Sequence, residues 1–461
     1  MSPAPLSGHT SPEHLRILRS LTPSVYVPSL LEVAGRAALF PVLPLIALKI
    51  GFSVPEAAGI AIVFGLAEFL GPIPCGMLIR RIGERPALLT TGVIVALVSA
   101  LAGAGMSAAI TAGGSAGSRW ALIVALVAIA LCTQVWNLGR QAYLGGALPP
   151  ALRARGMSLF GGTVRIGGVV GPGLGAAVIA LGHISWVFYL NALLCLIATI
   201  MVGVFLPEGE ASGRRRSWPV GVQERMEKST QKMGADGASP QKLGRSSARR
   251  LLSRAVLGRM MLVWAGTAQI VIARRNLPVI LPLLGDFLGL DAVWISLAFA
   301  VGAVIEIALV LPAGTLMETR GRVAVAVPCG VVIGLGYLLM ATLAVSIGGL
   351  GMAGAVTTVM LGSILISLGN GFGAGIMMTL GLDLSPVHER PRYLAWWHTL
   401  LGAAGLAGPA MVSAITVFFP LTVAAAATGV LSLGGGLWLA RVLPRLGLGV
   451  KRPQGEASGS E

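Results

Sequence analysis

The chain has 461 residues, of which 55% are hydrophobic and only 11% charged, whereas a soluble domain carries about 25% charged residues. With a mean hydropathy of +0.83, this excludes an ordinary soluble protein and points to a polytopic membrane protein. The net charge of +16 sits in particular loops, so it reads as membrane topology and not as a nucleic-acid surface.

The first 20 residues mix Pro, Ser, His, Glu and Arg without an apolar core. No cleavable signal peptide is expected, and the first helix serves as its own insertion signal. A span needs roughly 20 apolar residues. Runs of that length predict twelve spans, at about 25–48, 54–78, 86–108, 120–146, 157–181, 185–206, 258–284, 292–313, 323–346, 354–381, 394–416 and 421–442. Ser53 and Glu56 predict a capping box opening the second span, and Asp291 the N-cap of its later equivalent.

Alternate loops carry Arg80, Arg81 and Arg85; Arg153 and Arg155; Arg320 and Arg322; Arg390 and Arg392. The tail adds Arg441, Arg445, Lys451 and Arg452, while the opposite loops carry only Lys49, Arg119, His183, Asp286 and Asp291. The positive-inside rule then puts both termini in the cytoplasm. The stretch 207–255, with Arg214, Arg215 and Arg216 among many Gly, Ser and Gln, separates 1–206 from 256–461. It reads as a flexible linker or a surface-lying amphipathic segment, with a regulatory role as the alternative. Cys75, Cys132, Cys195 and Cys329 stand singly in apolar runs. They have neither pairing nor metal spacing and read as small core hydrophobes, so no metal is expected.

Shifted by 238 positions, the chain nearly repeats itself: Arg36 falls on Arg274, Gly51 on Gly289, Glu68 on Glu306, Gly76 on Gly314 and Gly83 on Gly321. With one residue of slippage, Gly171-Pro172 meets Gly408-Pro409. Two tandem copies of one membrane unit imply an all-α, pseudo-twofold transporter of two six-helix halves, with its site where the copies meet.

Ionisable groups inside hydrocarbon are costly and mark pathways or paired sites. The candidates are Glu32, Arg36, Glu68, Arg140, Arg165, Arg274, Arg275 and Glu306. Arg36 lies 15 residues before Gly51 and Glu68 lies 17 after it, so at about 1.5 Å per residue both sit at similar depth. Arg274 and Glu306 stand alike about Gly289. Two contacts are therefore expected, Arg36–Glu68 and Arg274–Glu306, with Glu32 a second partner for Arg36 four residues away. In the simplest reading the pairs only neutralise each other and fix helix packing. In the functional one, Glu68 or Glu306 exchanges its arginine for a proton, with Glu32 the least free of the three. Arg165 and Arg275 have no expected partner; they are assigned to a cavity, facing an anionic group or backbone carbonyls. Trp396, Trp397 and His398 read as an interfacial belt.

The loop running from Gly76 through Arg80 and Arg81 to Gly83, and its counterpart from Gly314 through Glu318 and Arg320 to Gly321, resemble two copies of the major facilitator superfamily motif G-x-L-a-D-r-x-G-r-k. The resemblance covers essentially the whole chain. In that family the acid of the motif locks one state through charge and helix-dipole contacts. Glu318 stands at that position in the second copy, while Arg80 replaces it in the first. Gly167, Gly171-Pro172, Gly175 and Ala176 resemble the g-x-x-x-G-P-x-x-G-G motif of the family's antiporters, with Ala176 in place of the last Gly; a plain packing groove is the alternative. Arg140 falls in a segment that resembles the fourth-helix and loop region of the family's exporters, and Asp383 in its second-half counterpart at the cytoplasmic rim; both are assigned to gating, and Asn137 and Gln269 lie on helices that line the family's cavity.

The resemblance implies a bacterial inner-membrane transporter, working as a monomer without cofactor. It implies proton-coupled efflux of a small amphiphilic compound; uptake of a small, perhaps anionic, metabolite is the alternative. No G-x-x-x-x-G-K-[ST] loop is present, which disfavours ATP drive by this chain. Short outer loops argue against a membrane enzyme such as a lipid-linked glycosyltransferase.

Overall fold

The computed structural model describes residues 19–148, 150–206, 245–347, 351–373, 375–386 and 390–448. A π-helical turn, Thr22–Tyr26, leads into α1 (Val27–Leu39) and α2 (Leu43–Lys49), which together make the first span. Then come α3 (Val54–Gly59), α4 (Ala61–Leu70), α5 (Pro72–Ile82), α6 (Glu84–Thr111), α7 (Ala116–Ala147), α8 (Pro150–Ala180) and α9 (Trp186–Phe205). The second half comprises α10 (Arg245–Phe287), α11 (Ala292–Arg320), α12 (Val323–Ser346), α13 (Met352–Phe372), α14 (Ile376–Leu384), α15 (Arg390–Phe418) and α16 (Leu421–Arg445). Among the described residues, eleven stretches are long and apolar enough to cross a membrane, and Val54–Leu70 with Pro72–Ile82, bent by 57°, makes a twelfth when taken as one span.

The ends follow local chemistry. The Glu56 carboxylate accepts from the Ser53 N–H at 2.7 Å and from the Ser53 hydroxyl at 2.8 Å, in the expected capping box that opens α3. Asp291 stands at the N-cap of α11 with extended backbone, but its side chain makes no cap bond. Gly83 and Gly321, the matching motif glycines, close their helices at φ 90° and 89°, a conformation that side chains other than glycine resist. The bend between α4 and α5 falls at Gly71-Pro72, where Pro72 lacks an N–H to continue the ladder. Helix α10 begins at Arg245, inside the expected linker. The rest of that linker, Pro149, and the tail residues Lys451 and Arg452 lie outside the described residues.

The two halves meet mainly through α8 on α11, through α3 and α4 on α15, and through α2 and α3 on α10. All but the first of these lie toward the side that carries Gly51 and Gly289. Segments ending on the Gly83 side, α5, α7 and α14, pack chiefly within their own half.

Candidate functional site

The intramembrane charges do not pair as the repeat predicts. Glu32, on α1, is 4% exposed and holds two arginines. Arg36 Nε lies 3.3 Å from Glu32 Oε1, and Arg140 Nη2 donates to Glu32 Oε2 at 2.8 Å. Arg140, counted among the intramembrane charges and assigned to gating, is 1% exposed inside the first half. It also donates to the Trp136 carbonyl at 3.0 Å and to Asn137 Oδ1 at 3.1 Å. Its guanidinium lies 5.2 Å from the Trp136 ring centre and 5.7 Å from that of Phe160.

Glu68 turns away from Arg36 and crosses between the halves. Arg275 Nη1 and Nη2 donate to its two carboxylate oxygens at 3.1 and 2.6 Å. A fork of this kind is the strongest carboxylate contact a side chain makes. Arg275 also lines a small inter-half cavity of about 50 Å³ with Phe40, Phe64, Pro278 and Pro409.

The second expected pair is absent as well. Arg274 Nη1 donates to the Gly373 carbonyl at 3.3 Å. Glu306 Oε1 accepts from Asn370 Nδ2 at 3.0 Å, and among the described residues no ion pair reaches it. Arg274 and Arg165 stand within electrostatic reach of it. The reason is geometric: successive helical residues differ by about 100° in direction, so Arg274 and Arg275 face different neighbours. Equal depth alone cannot say which one meets a carboxylate. Residue 270, which the repeat aligns with Glu32, is Ile270, so the second half lacks the acid that claims Arg36 in the first.

Arg165, on α8, is exposed and has no partner among the described residues. Gln269 donates to its own helix's Ala265 carbonyl at 2.8 Å and abuts Gly434 and Gly435 of α16, so it faces a packing seam. Asp383 pairs with Arg322 at 2.8 Å. Trp396 is 53% exposed, whereas Trp397, assigned to the same belt, is fully buried and donates to the Met377 carbonyl at 2.8 Å. Asn370 is one of the few amides inside the spans; Asn276, which the sequence reading does not single out, donates to Thr428 Oγ1 at 3.0 Å.

The Gly-Pro motif has a plain structural use. A Cβ at Gly167 would stand 2.8 Å from the Leu30 carbonyl oxygen, and one at Gly171 would strike that of Ala34 and come 2.7 Å from Ala37 Cβ. Gly408 approaches α10 in the same way, at Ile272 and Asn276. The motif is therefore a close-packing seam between first and fifth spans, repeated in the other half. Gly171→Val should cost about 1–3 kcal/mol through overpacking. Gly173→Val, where a Cβ meets nothing within 4 Å, should be nearly neutral. Melting temperatures in detergent test this, and equal shifts for the two variants would refute it. In contrast, Gly76 and Gly314 of the loop motif have open space where a Cβ would stand.

Two six-helix bundles with charges paired within one half and across the seam between them are the plan of a membrane transporter. The sequence matches the Major Facilitator Superfamily over residues 29–362 and 263–459, and the chain belongs to that family. No curated protein sequence matches it. Among solved structures, it is similar to a POT family transporter in complex with a thioalcohol-conjugated peptide, with TM-score 0.71 and 12% identity over 96% of this chain and 98% of that one. It is also similar to a peptide transporter POT in complex with sulfate, with TM-score 0.67 and 15% identity over 97% of each chain. A bacterial homolog of the human lysosomal transporter Spinster, inward-facing and unoccupied, gives TM-score 0.59 and 13% identity over 96% of this chain and 100% of that one. These structures share the fold.

Proposed function

We propose that this secondary transporter takes up a small carboxylate-bearing compound together with protons, by alternating access. The observation that carries the proposal is Glu306. It lies on α11 where the halves meet and is held by a neutral amide. A proton can neutralise it without first displacing a guanidinium, which is not so for Glu32 or Glu68.

In this reading the Glu68–Arg275 fork is an inter-half latch that opens as the halves rock. The freed Arg275, with the unpartnered Arg165, then meets the anionic group of the substrate. Arg322–Asp383 latches the second half at the Gly83 rim. Glu32, Arg36, Arg140 and Asn137 keep the first half rigid, and Arg274 biases Glu306 from beside it. The arginine-rich Gly83 side faces the cytoplasm of a bacterial cell, with both termini inside, and the chain acts as a monomer.

Efflux of an amphiphile rested on the Gly-Pro motif, which serves packing equally in both halves. Structures of the same fold hold a peptide conjugate, 5-aminolevulinic acid and sulfate. Such ligands present anionic groups and favour the uptake reading. The test is accumulation of 5-aminolevulinic acid and small peptides in oriented vesicles. Right-side-out vesicles with acid outside should accumulate at least one of them, and a protonophore should collapse the gradient. Accumulation only in everted vesicles would restore efflux; no accumulation in either orientation would reject the substrate class.

A further inference from the structure

The loop motif of the first half departs from its repeat partner by placing Arg80 where the second half has Glu318. A cavity of about 380 Å³ opens at that point, between α5 and α7. Gly76, Ile79, Arg80, Arg81, Glu84 and Leu138 line it. Both arginines are exposed, and neither has a partner among the described residues. Gly76 adds to the room, because a Cβ there would meet nothing within 4 Å. The cavity lies toward the Gly83 ends of two membrane spans. Helix α5, which leads away from the cavity, exposes Ile73 at 75% and Met77 at 51%.

Two free guanidiniums beside an apolar wall, at the membrane surface, suit a phosphate diester carrying acyl chains. We infer that this cavity binds an anionic phospholipid of the leaflet on the Gly83 side, its phosphate held by Arg80 and Arg81 and its chains lying along α5. Glu84 sets the limit on charge: with two arginines and one glutamate the cavity is net positive by one, enough for a monoanionic headgroup. The inference stands apart from the transport reading, since none of these residues is assigned to substrate or proton.

The experiment compares melting temperatures of the full chain in nanodiscs of phosphatidylcholine with and without phosphatidylglycerol. Phosphatidylglycerol should raise the transition of the wild type. Arg80→Gln with Arg81→Gln should lose at least half of that rise. Arg320→Gln, at the equivalent loop of the second half, should keep it. Gly76→Leu fills the cavity and retains both charges, and it should lose the rise too. An undiminished rise in the double variant, or an equal loss in Arg320→Gln, would overturn the site. A full rise from inorganic phosphate in phosphatidylcholine nanodiscs would overturn the lipid assignment in favour of a free anion.

Discussion

Glu32→Ala should be among the most destabilising single substitutions in the membrane-embedded region, at a cost of about 3–5 kcal/mol. Its partner Arg140 is 1% exposed, and a guanidinium does not discharge itself by losing a proton. Without Glu32 that charge would keep only the Trp136 carbonyl and Asn137 Oδ1, and Nη1 already has no hydrogen-bond partner. Arg36 fares better, because its side chain is 21% exposed and can hydrate. The double variant Glu32→Ala with Arg140→Ala should therefore cost less than the two single variants summed, since it removes both charges together. Glu68→Ala provides the contrast. Its ion pair has side-chain exposures of 37% and 50%, and exposed pairs contribute about 0–1 kcal/mol. Thermal melts of the four proteins in one detergent decide the matter. Equal shifts for Glu32→Ala and Glu68→Ala would mean that burial does not set the cost here.

Glu306→Gln should abolish gradient-driven accumulation while leaving substrate exchange intact. The amide has nearly the shape of the acid and retains an oxygen for Asn370 Nδ2, now 3.0 Å from the carboxylate. It cannot take up and release a proton in the working pH range. In proteoliposomes, counterflow at equal pH should match the wild type, and uptake driven by an acid exterior should fall to the level of protein-free liposomes. Glu68→Gln separates coupling from gating. It weakens the bidentate bridge between the halves, so it should alter exchange and driven uptake in the same proportion. Full driven uptake by Glu306→Gln would remove Glu306 from the coupling step. Loss of exchange as well would make it a structural or substrate residue.

Much of the architecture was written in linear patterns. Span length follows from the thickness of hydrocarbon, so apolar runs located the membrane helices. Gly83 and Gly321 were legible as turns because the positive φ they adopt is one that glycine alone takes easily. The repeat was legible because both halves solve the same packing problem, as the matching approaches of Gly171 to α1 and Gly408 to α10 demonstrate.

The charge partners were not legible. Depth along a helix is a sum over residues and can be counted, whereas azimuth depends on how each helix is rotated against its neighbours. Arg140 had to be brought from α7 to α1 to meet Glu32, and Arg275 across the inter-half seam to meet Glu68. By itself, the sequence determined the membrane class, the twofold plan and which residues carry intramembrane charge. Tertiary structure alone decided which of those charges meet, because a Coulomb contact of 3 Å is set by side-chain direction between helices far apart in the chain. It also left Glu306 beside an amide and left Arg80 and Arg81 exposed.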